Sequence, residues 1–589
     1  MITTFNRLSK CIKKSMKQLK RKNILDKFGD LKNFNQSSTK YWDLLKKFDN
    51  KDSSKKHEMS IKLPDGTLTK DYQIISDKFA ENLSSIFSVD THINATLDSD
   101  DIIERMDNAT SNITKLEFLE SLSELRPSAA PGIDKINNKI LKKSPKNVLK
   151  SIFNIFNASI KYSFIPNDWK ISKIKMLPKK DKPPDDICSY RPISLINCIA
   201  KWLEKIINKK LSNFLEKNNV LPDCQSGFRK FKNTHDQIFR LCHSVIEGFN
   251  KKEKTGIVLF DLEKAFDKAS HKGILYKLKK TGVNHKIYKW IENFLTDRKF
   301  QVNVETAFSS LHDIKTGVPQ GSCLSPTLFS IFFSDIVNDI TKNVKIALFA
   351  DDLCIYCSSK TCKNIEKSLQ LAINSIENYC LNWGLKINKS KTVYSVFTTA
   401  GYRNSYERLY NLNLFINRSK IPLEPHPTFL GIKLDPKLNF KKHLESLSKR
   451  VESKFNLIKR LRGIKLPNSQ ELGMIVYKSL IRSVFDYAFI PLSVSTCRIG
   501  EDIQKIQNKA LKSIKYFPLK TPTRLIHTYF NIDTVKNRSD HLLSKFIASK
   551  ECDNLISHEV EDYLLNKHVI TSRFETPFDL FIKHSNIFR

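Results

Sequence analysis

An apolar run near the middle of the chain ends in Phe349-Ala350-Asp351-Asp352 and resumes at once as Leu353-Cys354-Ile355-Tyr356. Period and composition read as strand, tight turn, strand, with two adjacent carboxylates at the tip. Neighbouring anions repel each other, and such a pair stays ionised most easily with a cation against it. A hairpin with this tip is a candidate divalent-metal site, although Asp also recurs in ordinary turns. A third carboxylate stands in a similar setting upstream. Gly256-Ile257-Val258-Leu259-Phe260 reads as a buried strand, Asp261 closes it, and Leu262-Glu263-Lys264-Ala265-Phe266-Asp267 is helix-compatible. A core strand delivering one Asp beside a hairpin delivering two more is how a protein holds two Mg²⁺ ions roughly 3.5–4 Å apart for phosphoryl or nucleotidyl transfer. Mg²⁺ takes few carboxylates and completes its shell with phosphate and water oxygens, which suits this ligand count.

The remaining chemistry must fit a chain of 589 residues, too long for one core and 40% hydrophobic, hence globular with several domains or subdomains. Lys and Arg number 99 against 61 Asp and Glu, a net charge of +38 spread along most of the chain. Such a field favours a polyanion, with nucleic acid the default partner. The 12 cysteines are scattered, several within apolar segments such as Cys198, Cys323 and Cys354, which points to reduced thiols in an intracellular protein. Cys354, Cys357 and Cys362 lie close together, but no second Cys/His pair follows at a zinc-site spacing. No apolar run approaches the length of about 18 residues that spans a bilayer, so no membrane association is expected. The first 25 residues, Lys-rich and without acids, lack the apolar core of a secretory signal and read as a basic helix.

Along the chain, residues 1–125 read as basic, mostly helical material; Tyr41-Trp42-Asp43-Leu44-Leu45 starts an amphipathic turn, and Leu63-Pro64-Asp65-Gly66-Thr67 is a turn between extended pieces. A rigid loop, Arg126-Pro127-Ser128-Ala129-Ala130-Pro131-Gly132-Ile133-Asp134, precedes a helix. Ile171 to Met176 alternates like a strand, and Pro178-Lys179-Lys180-Asp181-Lys182 is a basic loop. Tyr190-Arg191-Pro192-Ile193-Ser194-Leu195 is extended and leads into a helix rich in Ile, Leu and Lys. Arg grips a triphosphate bidentately and Lys acts as a point charge. Gly317-Val318-Pro319-Gln320-Gly321-Ser322 lies between the two carboxylate strands, ahead of a long apolar helix from Leu324 to Ile336. Gly-rich backbone there lets another backbone or a base pair come close. Beyond about residue 440, Leu444, Leu447, Val451, Phe455, Ile458 and Leu461 recur at helical spacing, with Lys449, Arg450, Lys454 and Lys459 on the opposite face. That basic face is a candidate duplex-backbone contact.

Seven segments in order make the chain recognisable: Ala130-Pro131-Gly132-Ile133-Asp134, Tyr190 to Leu195, Gln225-Ser226-Gly227-Phe228-Arg229, Asp261 to Asp267, Gly317-Val318-Pro319-Gln320-Gly321, Phe349-Ala350-Asp351-Asp352 and Phe429-Leu430-Gly431. The series resembles that of non-long-terminal-repeat (LINE-type) retrotransposon reverse transcriptases, nearest the Jockey-like group. The resemblance is strong over residues 126–435 and weaker over a thumb-like tail through Tyr477, Arg482 and Tyr487. It implies an α+β right-hand polymerase: a basic helical extension over residues 1–125, fingers and palm over 126–435, and a helical thumb and C-terminal region over 436–589. It implies an RNA-directed DNA polymerase with Mg²⁺ (Mn²⁺ as substitute), an RNA template, a DNA primer and deoxynucleoside triphosphates. Asp261, Asp351 and Asp352 would be its catalytic, metal-binding carboxylates. Arg191, with Lys179 or Lys180, would grip the triphosphate. Phe266 would be the ribose gate, Gln320 would lie by the templating pair, and Lys391 near the leaving group. Gly321, Gly317, Lys449, Arg450 and Lys454 would face the template–primer.

The chain departs from the family pattern where Phe231 and Asn233 stand for the usual Gly and Ser before Thr234. Too few residues precede Pro127 for the family's N-terminal endonuclease, and the Ser539-Asp540-His541 triplet is read as a chance match to part of that enzyme's signature. Nuclear action is expected from the family alone. The competing expectation is a basic, folded, catalytically silent nucleic-acid-binding remnant; an RNA-dependent RNA polymerase is disfavoured by the bulky Phe266.

Overall fold

The computed structural model describes residues 2–29, 42, 59–88, 112–179, 182–403, 405–463, 469–495, 497–518, 520–551, 554–567 and 573–585. The Tyr41–Leu45 turn and Lys180 therefore fall largely or wholly outside the described residues. Strands and helices are mixed, an α+β arrangement, and the chain divides into two compact bodies. One comprises Glu58–Gly431 together with the returning segment Ser549–Ile582. The other is built mainly from Ile432–Ala548. The returning segment had no counterpart in the sequence reading, which ran one helical region from 436 to the end.

The first body is organised around a four-stranded antiparallel sheet in the order Val393–Phe397, Lys254–Phe260, Asp352–Ser359, Lys345–Phe349. The strands Lys254–Phe260 and Asp352–Ser359 read as near-continuous apolar runs because helices cover both faces of the sheet. Gly256 lies so close to Ile365 and Leu369 of the Cys362–Asn382 helix that a Cβ there would come within 2.3 Å of Ile365. The adjacent Thr255 faces the other way, toward Gly248 of the Thr234–Asn250 helix. One core runs from this sheet through Trp202, Trp290, Phe329 and Phe333. Burying aromatic surface on this scale is the main favourable contribution to the fold.

A second sheet carries the strands Tyr190–Leu195, Ile171–Pro178, Arg298–Val304 and Ala307–Phe308, with His312–Ile314 paired to Arg298–Val304. Alternate residues of Ile171–Pro178 are buried, as their spacing predicts, and the strand pairs in parallel with Arg298–Val304. The Tyr72–Phe87 helix, capped by Asp71, covers one face and packs Ile75, Phe79 and Leu83 against Met176, Tyr190 and Phe300. The Leu63–Thr67 turn joins two short paired strands, as expected. The apolar helix expected from Leu324 to Ile336 is shorter, Ser325–Phe332, and tightens into a 3₁₀ turn at Ser334–Val337.

In the second body, the Lys441–Gly463 helix buries Leu444, Leu447, Val451, Phe455, Ile458 and Leu461, the stripe its periodicity marks. It packs against the Cys497–Ile514 helix and a helix starting at Ser469 that passes through a π-helical turn at Tyr477–Arg482. The Ser539-Asp540-His541 triplet lies on the Val535–Lys550 helix, where Ser539 is buried and its hydroxyl donates to the Phe489 carbonyl. Among the described residues no helix is long and apolar enough to cross a membrane.

Candidate active site

The antiparallel register sets Leu353 opposite Phe260, so the residue closing one strand, Asp261, meets the tip of the neighbouring hairpin. Phe349 pairs with Asp352, which leaves Ala350 and Asp351 as a two-residue turn. The structure thus brings Asp261, Asp351 and Asp352 to one end of the sheet. Burial pushes the Asp351 carboxyl up, with Asp261 adding to the shift and Arg191 opposing it. Asp352 is pushed up to about 6, first by desolvation and then by the charges of Asp351 and Asp261. Burial and mutual repulsion both disfavour the charged forms of Asp351 and Asp352, which is the setting a divalent cation relieves.

The backbone of Asp261 is fixed by its neighbours. Its N–H donates to Oγ1 of the buried Thr392 at 3.3 Å, and its carbonyl accepts from Asn388 N–H at 2.7 Å. Lys391, exposed, reaches an Asp261 oxygen at 3.2 Å. Among the described residues no three His, Cys, Asp or Glu side chains are gathered tightly enough to hold an ion unaided. Mg²⁺ in a nucleotidyl-transfer site needs only one or two carboxylates, with substrate and water oxygens supplying the rest, so this all-oxygen donor set fits it.

A group of cations gathers around Arg191, whose charge acts on Asp351. The Lys179 ammonium is pushed down by burial and by the charges of Lys264, Lys391 and Arg191, and it donates to the Cys188 carbonyl at 2.8 Å. Arg191 is exposed on the strand Tyr190–Leu195. Lys264, which the sequence reading left without a role, joins this group from a left-handed backbone position just after Asp261-Leu262-Glu263.

Phe266 is half-buried, stacked on Phe329 with ring centroids 4.2 Å apart and meeting the Phe228 edge at 6.1 Å. Gln320 donates to Asp267 at 2.9 Å, and its carbonyl accepts from Ser194 N–H at 2.8 Å. The two glycines beside it are explained by the chain's own backbone. Gly317 (φ +84°) is buried, and a Cβ there would lie 2.4 Å from the Asp267 carbonyl oxygen. The close approach that Gly317 permits is thus to the chain's own backbone. Gly321 (φ +136°) is exposed, and its Cβ would meet the Ser194 carbonyl at 2.4 Å. Lys449 and Arg450 are exposed and Lys454 half-buried, all three on the second body.

The structure also shows a support that sequence reasoning missed. Glu204 is buried and accepts from Ser322 Oγ at 2.6 Å and Cys323 N–H at 3.1 Å, bracing the loop after Gly321. Its signal was a lone acid amid Trp202, Leu203, Ile206 and Ile207. The departure at Phe231 and Asn233 leaves the local structure intact, because Asn233 caps the following helix and exchanges hydrogen bonds with Asp236 in a capping box.

Residues 177–434 match the family model "Reverse transcriptase (RNA-dependent DNA polymerase)". This chain carries a reverse transcriptase domain. Over 503 residues it is 28% identical to the "Probable RNA-directed DNA polymerase from transposon BS" of Drosophila melanogaster, covering 83% of this chain and 54% of that protein. It is likewise 28% identical over 561 residues to the "RNA-directed DNA polymerase from mobile element jockey" of the same fly, covering 92% of this chain and 59% of the relative. A transposon X-element polymerase from that fly is 28% identical over 413 residues. The chain thus spans somewhat over half the length of the first two relatives, and the resemblance to Jockey-like non-LTR elements holds across nearly all of it. The matched reverse transcriptase segment contains Asp261, Asp351 and Asp352.

Proposed function

We propose that this chain is an RNA-directed DNA polymerase that extends a DNA 3′ end on an RNA template. The observation carrying this reading is the convergence of Asp261, Asp351 and Asp352 at one end of the sheet, with Arg191 and Lys391 beside them, inside a reverse transcriptase domain. In right-hand terms the four-stranded sheet is the palm, the second sheet and its helices the fingers, and the helices after residue 432 the thumb. Asp261, Asp351 and Asp352 would hold two Mg²⁺ ions, whose charge would stabilise the attacking 3′-oxygen and the departing pyrophosphate.

The chain's own residues do the positioning. Arg191 and Lys179 attract and orient the triphosphate, and their charge reduces the repulsion between it and the aspartates. Lys391, held on Asp261, stands ready to shift toward negative charge developing on the phosphates. Phe266, immobilised against Phe329, presents a rigid ring to the sugar; a 2′-hydroxyl pressed on it would be rejected, which selects deoxynucleotides. Gly321, exposed and next to Gln320 in the chain, would lie by the templating pair. Lys449, Arg450 and Lys454 would contact the phosphates of the bound duplex from the thumb.

Incorporation of deoxythymidine triphosphate onto oligo(dT) annealed to poly(rA), with Mg²⁺, tests the assignment. Template-dependent incorporation that disappears in Asp261→Asn is the expected outcome. Tight binding of the hybrid by the wild type with no incorporation in Mg²⁺ or Mn²⁺ would replace it with the silent binding remnant.

A further inference from the structure

The turn that carries the two carboxylates is held from outside the hairpin. Ala350 has φ +59°, a left-handed conformation that a residue with a Cβ adopts only when its surroundings impose it. Both backbone polar groups of Ala350 are bound by one side chain. Its N–H donates to Gln225 Oε1 at 3.0 Å, and its carbonyl accepts from Gln225 Nε2 at 3.2 Å. Gln225 Oε1 also accepts from Gly227 N–H at 2.8 Å, and the glutamine is 2% exposed.

Gln225 is itself fixed to the hairpin. The segment around it runs parallel to the edge strand Lys345–Phe349, with Leu348 N–H donating to the Cys224 carbonyl at 3.0 Å and Ser226 N–H to the Leu348 carbonyl at 2.9 Å. Gly227 lets the two backbones meet, since a Cβ there would lie 2.3 Å from Ala350 N.

Behind this clamp stands a buried relay. Gln237 Nε2 donates to the Cys224 carbonyl at 2.8 Å and to Ser226 Oγ at 2.7 Å. Arg240 donates to Gln237 Oε1 at 2.9 Å and to the Ile346 carbonyl of the same hairpin at 3.2 Å. The counter-charge of Arg240 comes from far along the chain: Glu559, on the returning segment, accepts from its Nε and Nη2 at 2.8 and 2.6 Å. A guanidinium buried to this degree, 5% exposed, depends on that carboxylate.

We propose that Gln225 is a positioning residue for Asp351 and Asp352, and that Glu559 acts on the same turn through Arg240 and Gln237. The inference rests on the polymerase reading for its kinetic consequence, though the clamp itself does not. Two like charges side by side on a strained turn tend to spread it, and Gln225 holds a backbone unit of that turn whose rotation would move them. A misplacement of about 1 Å in such a site costs on the order of 10²-fold in rate.

The test uses the full-length chain, single-nucleotide primer extension and hydrogen exchange of the peptide spanning residues 346–354. Gln225→Met keeps the volume and removes the clamp. It is expected to lower kcat by about 10²-fold while leaving KM for the nucleotide and affinity for the hybrid near wild type, and to speed exchange in the hairpin. Gln225→Glu keeps the acceptor for both amides and is expected to recover part of kcat. Glu559→Gln is expected to lower kcat and speed hairpin exchange in the same sense. Wild-type kcat with wild-type exchange in either Gln225→Met or Glu559→Gln would overturn the proposal. So would a loss explained wholly by fewer active molecules on burst titration. Should Gln225→Met fail to fold, Glu559→Gln decides alone by the same two readouts. Failure of the wild type to extend any primer would instead remove the polymerase reading, and exchange would still decide whether Gln225 holds the turn.

Discussion

Asp352 combines partial desolvation with two neighbouring carboxylates, and its proton is held up to about 6. A carboxyl raised in this way is neutral below that value and anionic above it. Its folded-state pKa lies above the unfolded value, so its relative contribution to stability is present at low pH and lost as pH rises through about 6. Asp352→Asn should therefore raise the metal-free melting temperature near neutral pH while abolishing nucleotide incorporation and sparing hybrid binding. Thermal unfolding with and without Mg²⁺ checks this; a lowered melting temperature would mean that the aspartate is structural. The same group predicts a polymerase rate that falls as pH drops through about 6, with added Mg²⁺ moving the limb to lower pH because the ion competes with the proton. Phe266 makes a separate prediction. Phe266→Ala should raise ribonucleotide use relative to deoxynucleotide use, read as the ratio of kcat/KM values, and an unchanged ratio would leave the ring only its packing on Phe329. The three aspartates were legible because each ends or begins an apolar run. The reasons for their geometry were not, because Thr392 and Asn388 reach Asp261 from more than a hundred residues away.

Among the elements, the loop from Gly317 to Ser322 is fitted to its surroundings at nearly every residue. Gly317 N–H donates to the Ala269 carbonyl at 2.8 Å, and its own carbonyl accepts from His271 Nε2 at 2.7 Å. Burial pushes the His271 ring down to about 4, so it serves as a neutral donor at neutral pH. Gly317→Ala puts a Cβ against the Asp267 carbonyl at a positive φ, and should cost at least about 1–3 kcal/mol of stability in urea unfolding. A change within error would mean that the loop moves aside freely. The sequence marks these glycines as points of close approach for another backbone or a base pair. The partner is the chain's own Asp267 and Ser194, a contact set by tertiary packing that no local pattern carries. Helix and strand periodicity was more telling. The buried stripe from Leu444 to Leu461 and the alternation from Ile171 to Met176 both stand as read. The parallel pairing of Ile171–Pro178 with Arg298–Val304 was not legible, since it joins segments separated by much of the first body.

For the molecule as a whole, a net charge of +38 implies that hybrid binding weakens steeply with salt. Each phosphate contacted should add roughly 0.9 to the log–log slope, and a nearly flat response in a filter-binding titration would show that the charge is not the binding surface. The return of Ser549–Ile582 to the first body was invisible in composition. It is held by the ion pairs of Glu559 with Arg240 and Lys550 with Asp236, and by ring packing such as His243 on Phe578, between residues over three hundred positions apart. We propose that the carboxylates at the end of the sheet polymerise DNA on RNA. That is tested most directly by extension of a DNA primer on a defined RNA template with Mg²⁺ and all four deoxynucleotides, by wild type and by Asp351→Ala/Asp352→Ala, with hybrid binding measured in parallel. Full extension by the wild type and none by the double variant, at matched binding, is the predicted result; equal extension by both, or binding without extension by the wild type, would contradict it.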